Sequence, residues 1–78
     1  MDIQVLGTGC VKCNQLMAQT QKAVKELKLG VTVTKVSDIN EILAFGIMTI
    51  PALVVDNKVK LVGYVPALHE LKEILKKG

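Results

Sequence analysis

Cys10 and Cys13 are the only cysteines of this chain, and they stand three residues apart where an apolar run meets a long helical pattern. The run is Ile3-Gln4-Val5-Leu6, and Gly7-Thr8-Gly9 makes the turn between them. A helix N-terminus presents unpaired N–H groups and a partial positive charge. Sulfur placed there is stabilised as thiolate, the form that attacks disulfides and binds metals. The chain has one histidine, His69. A closed zinc site takes four ligands, and two sulfurs with one distant imidazole do not supply them in a single copy, although a dimer would bring four sulfurs together.

Lys12 lies between the cysteines. As a nearby cation it favours a thiolate, although the helix dipole itself prefers anions at that end. A solvated surface lysine is the plainer alternative. Thr8 is placed either to hydrogen-bond a thiolate or simply to serve the turn. Met17, Met48 and Phe45 are expected in the core or in a pocket wall. His69 is expected on a polar helix face, and Tyr64 either at a substrate groove or half-packed.

The elements that must position the cysteines follow from hydrophobic periodicity. Residues 2–6 are apolar enough for a central strand. From Cys10 to about Lys28 the pattern is helical, with Cys13, Leu16, Met17, Thr20, Val24 and Leu27 on one face. Gly30 suits the left-handed position that ends such a helix. Val31 to Val36 is β-branched and reads as a strand, so the first three elements form a βαβ unit with parallel strands. Asp38 and Glu41 open a short helix that runs to Ala44. Ala52-Leu53-Val54-Val55 is a continuous apolar strand, and Asp56-Asn57 turns the chain into a returning strand, Lys58 to Val62. Pro66 opens a last helix, to Lys76, with an apolar stripe of Leu68, Leu71 and Leu75. The order is β-α-β-α-β-β-α. One α/β domain over residues 1–78 satisfies every stripe, as a four-stranded mixed sheet in the order 2-1-3-4 with helices on both faces.

Half of the 78 residues are hydrophobic, but there is one Phe, one Tyr and no Trp, so aliphatic side chains must fill the core. The net charge is +3. It comes mostly from lysines on helix faces and at the tail Lys76-Lys77, without the basic cluster and stacking aromatics that nucleic-acid binding calls for. No apolar run approaches the roughly 20 residues of a membrane span, and the residues before the first strand are read with the expectation of no signal peptide. The expectation is a cytoplasmic monomer, in a compartment where C-x-x-C is catalytic or metal-binding more often than structural.

Three segments carry a family resemblance: Gly7 to Cys13, Thr49-Ile50-Pro51-Ala52-Leu53 and Gly63-Tyr64-Val65-Pro66. With the element order they resemble the minimal, glutaredoxin-sized thioredoxin fold, closest to the small archaeal and bacterial redox-active disulfide proteins. The resemblance covers essentially the whole chain. It implies that Cys10 attacks and Cys13 resolves, that the Ile50–Pro51 bond is cis and faces the cysteines, and that Thr49, Ile50 and Pro51 present backbone to a bound peptide. It implies no cofactor and no metal. The implied partners are disulfide-containing proteins and a thiol–disulfide reductase. Gly9 stands where thioredoxins carry Trp, and Val11-Lys12 where they carry Gly-Pro. Val62 to Pro66 has one Gly and no acid where glutaredoxins hold glutathione, so glutathione use is not carried over.

The leading expectation is thus a thiol–disulfide oxidoreductase. The alternative is a soft-metal carrier or binding module for Cu(I) or Zn using the same sulfurs, since two thiolates suit Cu(I). Carriers of that type run β-α-β-β-α-β and lack the Pro51 segment. A purely structural staple is disfavoured, because so short a loop gains little from closure.

Overall fold

The computed structural model describes residues 1–77. Its elements are β1 (Ile3–Leu6), α1 (Val11–Leu27), β2 (Val33–Val36), α2 (Ile39–Ala44), β3 (Ala52–Val55), β4 (Lys58–Val62) and α3 (Leu68–Lys77). The sheet order is β2-β1-β3-β4. β1 and β2 are parallel, while β3 is antiparallel to both β1 and β4. Fold class, element order and strand order therefore agree with the sequence reading.

The helices divide between the two faces of the sheet. Ile3, Val5, Leu53, Val55 and Leu61 pack with Leu16, Ala23 and Val24 of α1 and with Leu71 and Leu75 of α3. Leu6, Ala52 and Val54 pack with Ile42 of α2 and with Ile47. Alternation along the strands sorts these two sets. β3 is buried at all four positions, as its unbroken apolar run requires of a strand covered on both faces. Thr20, the one buried polar residue among those described, donates its hydroxyl to the Leu16 carbonyl at 2.7 Å.

Three element ends differ from expectation. β2 starts at Val33 rather than Val31, because its parallel partner begins at Ile3, which pairs with Val33. α1 ends on Lys28 in the left-handed conformation (φ 54°), ahead of Gly30. The Lys28 N–H reaches the Lys25 carbonyl and the Leu29 N–H the Val24 carbonyl, both at 3.2 Å. This is a Schellman closure in which Leu29 rejoins the core beside Val24. α3 starts at Leu68 rather than Pro66, since its first turn closes with the Leu71 N–H on the Ala67 carbonyl at 3.0 Å. The β3–β4 turn is as expected for a hairpin, with Asp56 and Asn57 both at positive φ (51° and 65°).

Candidate active site at the start of α1

Cys10 is the N-cap of α1, with extended backbone (φ −68°, ψ 168°). Its Sγ accepts the Cys13 N–H at 3.2 Å, and its carbonyl accepts the Asn14 N–H at 3.0 Å. Sulfur here does what a Ser or Asp oxygen does at most helix starts. The first turn of α1 holds no acidic residue, so the field of the helix end is left for the sulfur. Cys10 is exposed. Cys13, one turn on, is 2% exposed and belongs to the buried face of α1. The two sulfurs are joined in a disulfide, with the Cα atoms 5.0 Å apart.

The loop before the helix brings two residues to the site that the sequence did not mark as functional. Gly7 directly follows β1, and its N–H donates to the Val36 carbonyl at 2.9 Å. A Cβ at position 7 would lie 2.5 Å from Cys13 Sγ and 2.8 Å from Cys13 Cβ. Lys35 comes from β2, with its Nζ 3.8 Å from where a Cβ on Gly9 would stand. A cation from a different element thus lies beside the residue preceding Cys10. Neither approach leaves a local signature, because each depends on where a strand end meets the loop. Lys12 and Thr8 are both exposed.

The Pro51 segment reaches the same end of the sheet. The β1–β3 ladder ends at Leu6–Ala52, which brings Pro51 and Gly7 to that same end. The Ile50–Pro51 peptide bond is cis. Pro51 is buried, Ile50 half-buried and Thr49 exposed. The Pro51 carbonyl accepts the Gly63 N–H at 2.7 Å, tying this segment to the turn after β4. Met48, expected in the core or in a pocket wall, is instead 95% exposed. Its neighbour Ile47 takes the buried place, and the chain turns Met48 outward. Phe45 and Met17 pack against the two core clusters as expected. Tyr64 is half-exposed, with its hydroxyl 3.4 Å from Glu70 Oε1. His69 is exposed on α3.

Among the described residues no group of three or more His, Cys, Asp or Glu side chains is gathered to hold a metal ion. α2 stands between β2 and β3, where a β-α-β-β-α-β carrier has a hairpin. No helix among the described residues is long and apolar enough to cross a membrane.

Comparison with known proteins adds to this geometry. The family model for the thioredoxin domain matches residues 1–76. A thioredoxin of Methanothermobacter thermautotrophicus is 39% identical over 75 residues, covering 96% of this chain and 97% of that protein. A thioredoxin of Methanocaldococcus jannaschii is 40% identical over 74 residues, covering 95% of this chain and 85% of that protein. With a four-stranded sheet in the matching order and a C-x-x-C disulfide capping its first long helix, the chain belongs to the thioredoxin family.

Proposed function

We propose that this thiol–disulfide oxidoreductase works through Cys10 as attacking thiol and Cys13 as resolving thiol, with disulfide-bearing proteins as substrates. The observation that carries the reading is the contrast within one disulfide. One sulfur is exposed at a helix N-cap and the other is buried one turn inside.

In the reduced protein the Cys10 thiolate attacks one sulfur of a target disulfide. A Cys10–target S–S bond forms, the target's own S–S bond breaks, and the electron pair leaves on the second target sulfur, which takes up a proton. Cys13 then gives up its proton and attacks Cys10 Sγ. The Cys10–Cys13 bond forms, the Cys10–target bond breaks, and the target sulfur that was first attacked leaves with the electron pair and is protonated. Two electrons have passed to the target, with one proton from Cys13 and one from solvent. A reductase of the dithiol class returns them.

Thr49, Ile50 and Pro51 receive the target segment in this reading. Their support is the β1–β3 register, which ends at Leu6–Ala52 and so brings Pro51 and Gly7 to the same end of the sheet, and the exposure of Thr49 and Met48 close to a buried proline. Proline contributes no N–H of its own, so the backbone on either side is left to meet the target.

The test is reduction of a protein disulfide under metal-free conditions, with and without a dithiol reductant to recycle the enzyme. The reduced protein should consume one disulfide per molecule alone and turn over with the reductant. Folded Cys10→Ser protein should do neither. A reduced, folded parent protein that leaves the substrate oxidised overturns the proposal.

A further inference from the structure

We propose that Gly7 is a positioning residue for the resolving step, because its missing side chain is the space that Cys13 Sγ occupies. The inference rests on the dithiol mechanism above and says which feature of the fold sets the reach of its second sulfur.

A Cβ at position 7 would come within 2.5 Å of Cys13 Sγ and 2.8 Å of Cys13 Cβ, closer than van der Waals contact allows. One side must give, and the backbone on both sides is held. Gly7 is fastened to β2 through its N–H on the Val36 carbonyl. Cys13 is carried by α1, whose buried residues Leu16, Thr20, Ala23 and Val24 seat the helix. The softest coordinate is the Cys13 side chain: rotation about its χ1 relieves the contact with Sγ and moves the sulfur off the line to Cys10. Rotation leaves Cys13 Cβ in place, so its 2.8 Å contact is relieved only by a small shift of the first turn of α1, which carries the sulfur with it. Gly7 is also absent from the positive-φ residues, which include Gly9, Gly30, Gly46 and Gly63. An alanine at position 7 therefore needs no left-handed backbone, and its effect reports the contacts with the Cys13 side chain.

The consequence falls on one step. Attack by Cys10 on a target uses an exposed sulfur whose helix-end setting does not involve Gly7. Resolution requires Cys13 Sγ to approach Cys10 Sγ in line with the bond to the target. That bond breaks, its electron pair leaves on the target sulfur, and the Cys10–Cys13 bond forms. Displacing the attacking atom by a fraction of a bond length slows this step and leaves the first unchanged.

The experiment uses reduced Gly7→Ala protein and the aromatic disulfide dithiobis(nitrobenzoate), which releases one coloured thiolate on attack and a second on resolution. In the parent protein both should appear, in two kinetic phases. In Gly7→Ala the first phase should keep its rate. The second should slow by about 10- to 100-fold, the order of loss seen when a reacting group is displaced by an ångström. The slowed variant should also hold a covalent mixed disulfide by mass spectrometry. A role in folding alone would shrink both amplitudes together without separating the rates. An unchanged second phase overturns the inference. A parent protein that releases no thiolate overturns the oxidoreductase reading instead. Should Gly7→Ala fail to fold, Gly7→Ala/Cys13→Gly removes both close atoms. Cooperative unfolding of that variant at the midpoint of Cys13→Gly alone places the conflict at Cys13, and its failure to fold overturns the inference.

Discussion

At the scale of single residues, the two sulfurs of one disulfide are made unequal by their surroundings. Cys10 holds the N-cap and accepts an N–H from the first turn, whereas Cys13 is almost fully enclosed. Donors and the helix field favour the anion at Cys10, and desolvation disfavours it at Cys13. In the reduced protein Cys10 should titrate below the free-thiol value of roughly 8.5. It should also be the first to alkylate at neutral pH, as read by peptide mapping. Cys13→Ser should accumulate mixed disulfides with its targets, and Cys10→Ser should capture none. Faster alkylation of Cys13, or capture by Cys10→Ser alone, would reverse the assigned roles. Lys35 adds a cation beside Gly9. Lys35→Met should move the alkylation midpoint of Cys10 upward by less than about 1 pH unit, since exposed charge pairs are worth about 0.2–1 kcal/mol. The shift should shrink in high salt.

Among the elements, α3 is the one that closes the main core over α1 and the sheet. Its stripe is anchored by Leu71 and Leu75, both fully buried. Leu71→Ala should cost about 2–5 kcal/mol, read as a lower denaturant midpoint. That is a large share of the stability a chain of this size can have. Lys72 of α3 also meets Glu26 of α1 at 2.6 Å. The hydrogen bond from Lys72 holds the Glu26 carboxyl below its ordinary value, against an opposing desolvation and with help from the positive charges of Lys72 and Lys22. A lowered carboxylate pKa stabilises the fold above the unfolded-state value, and that contribution is lost as pH falls through the folded-state value. Glu26→Gln should therefore lower stability slightly at neutral pH, change it little below the folded-state value, and so flatten the acid side of the stability profile. Because both side chains are partly exposed, the effect should fade with added salt.

For the whole molecule, the core is aliphatic on both faces of the sheet, and its two clusters are built without either cysteine. The disulfide spans three residues of sequence. Closing so short a loop is worth about 2 kcal/mol or less in the chain-entropy picture. Reduced protein treated with a chelator should still unfold in one cooperative transition, at a modestly lower midpoint. Loss of cooperativity on chelation would instead mark a folding metal and return the carrier reading to the front.

What the amino-acid sequence determined by itself is what short-range physics controls. Periodicity placed seven elements in the right order, because a strand or an amphipathic helix is written into residues two to four apart. The cap at Asp38, the turn at Asp56-Asn57 and the division of Cys10 and Cys13 between the tip and the inner face of one helix are equally local. Tertiary structure decided the rest. Lys28 rather than Gly30 ends α1, where the Leu29 N–H closes on the Val24 carbonyl and the Leu29 side chain packs against the core. Met48 faces outward because Ile47 takes the inward position in a loop held at both ends. The contacts of Gly7 with Cys13 and of Lys35 with Gly9 exist only once β1, β2 and α1 converge at one end of the sheet. Their geometry is a sum of distant packing choices, and no window of the sequence contains it.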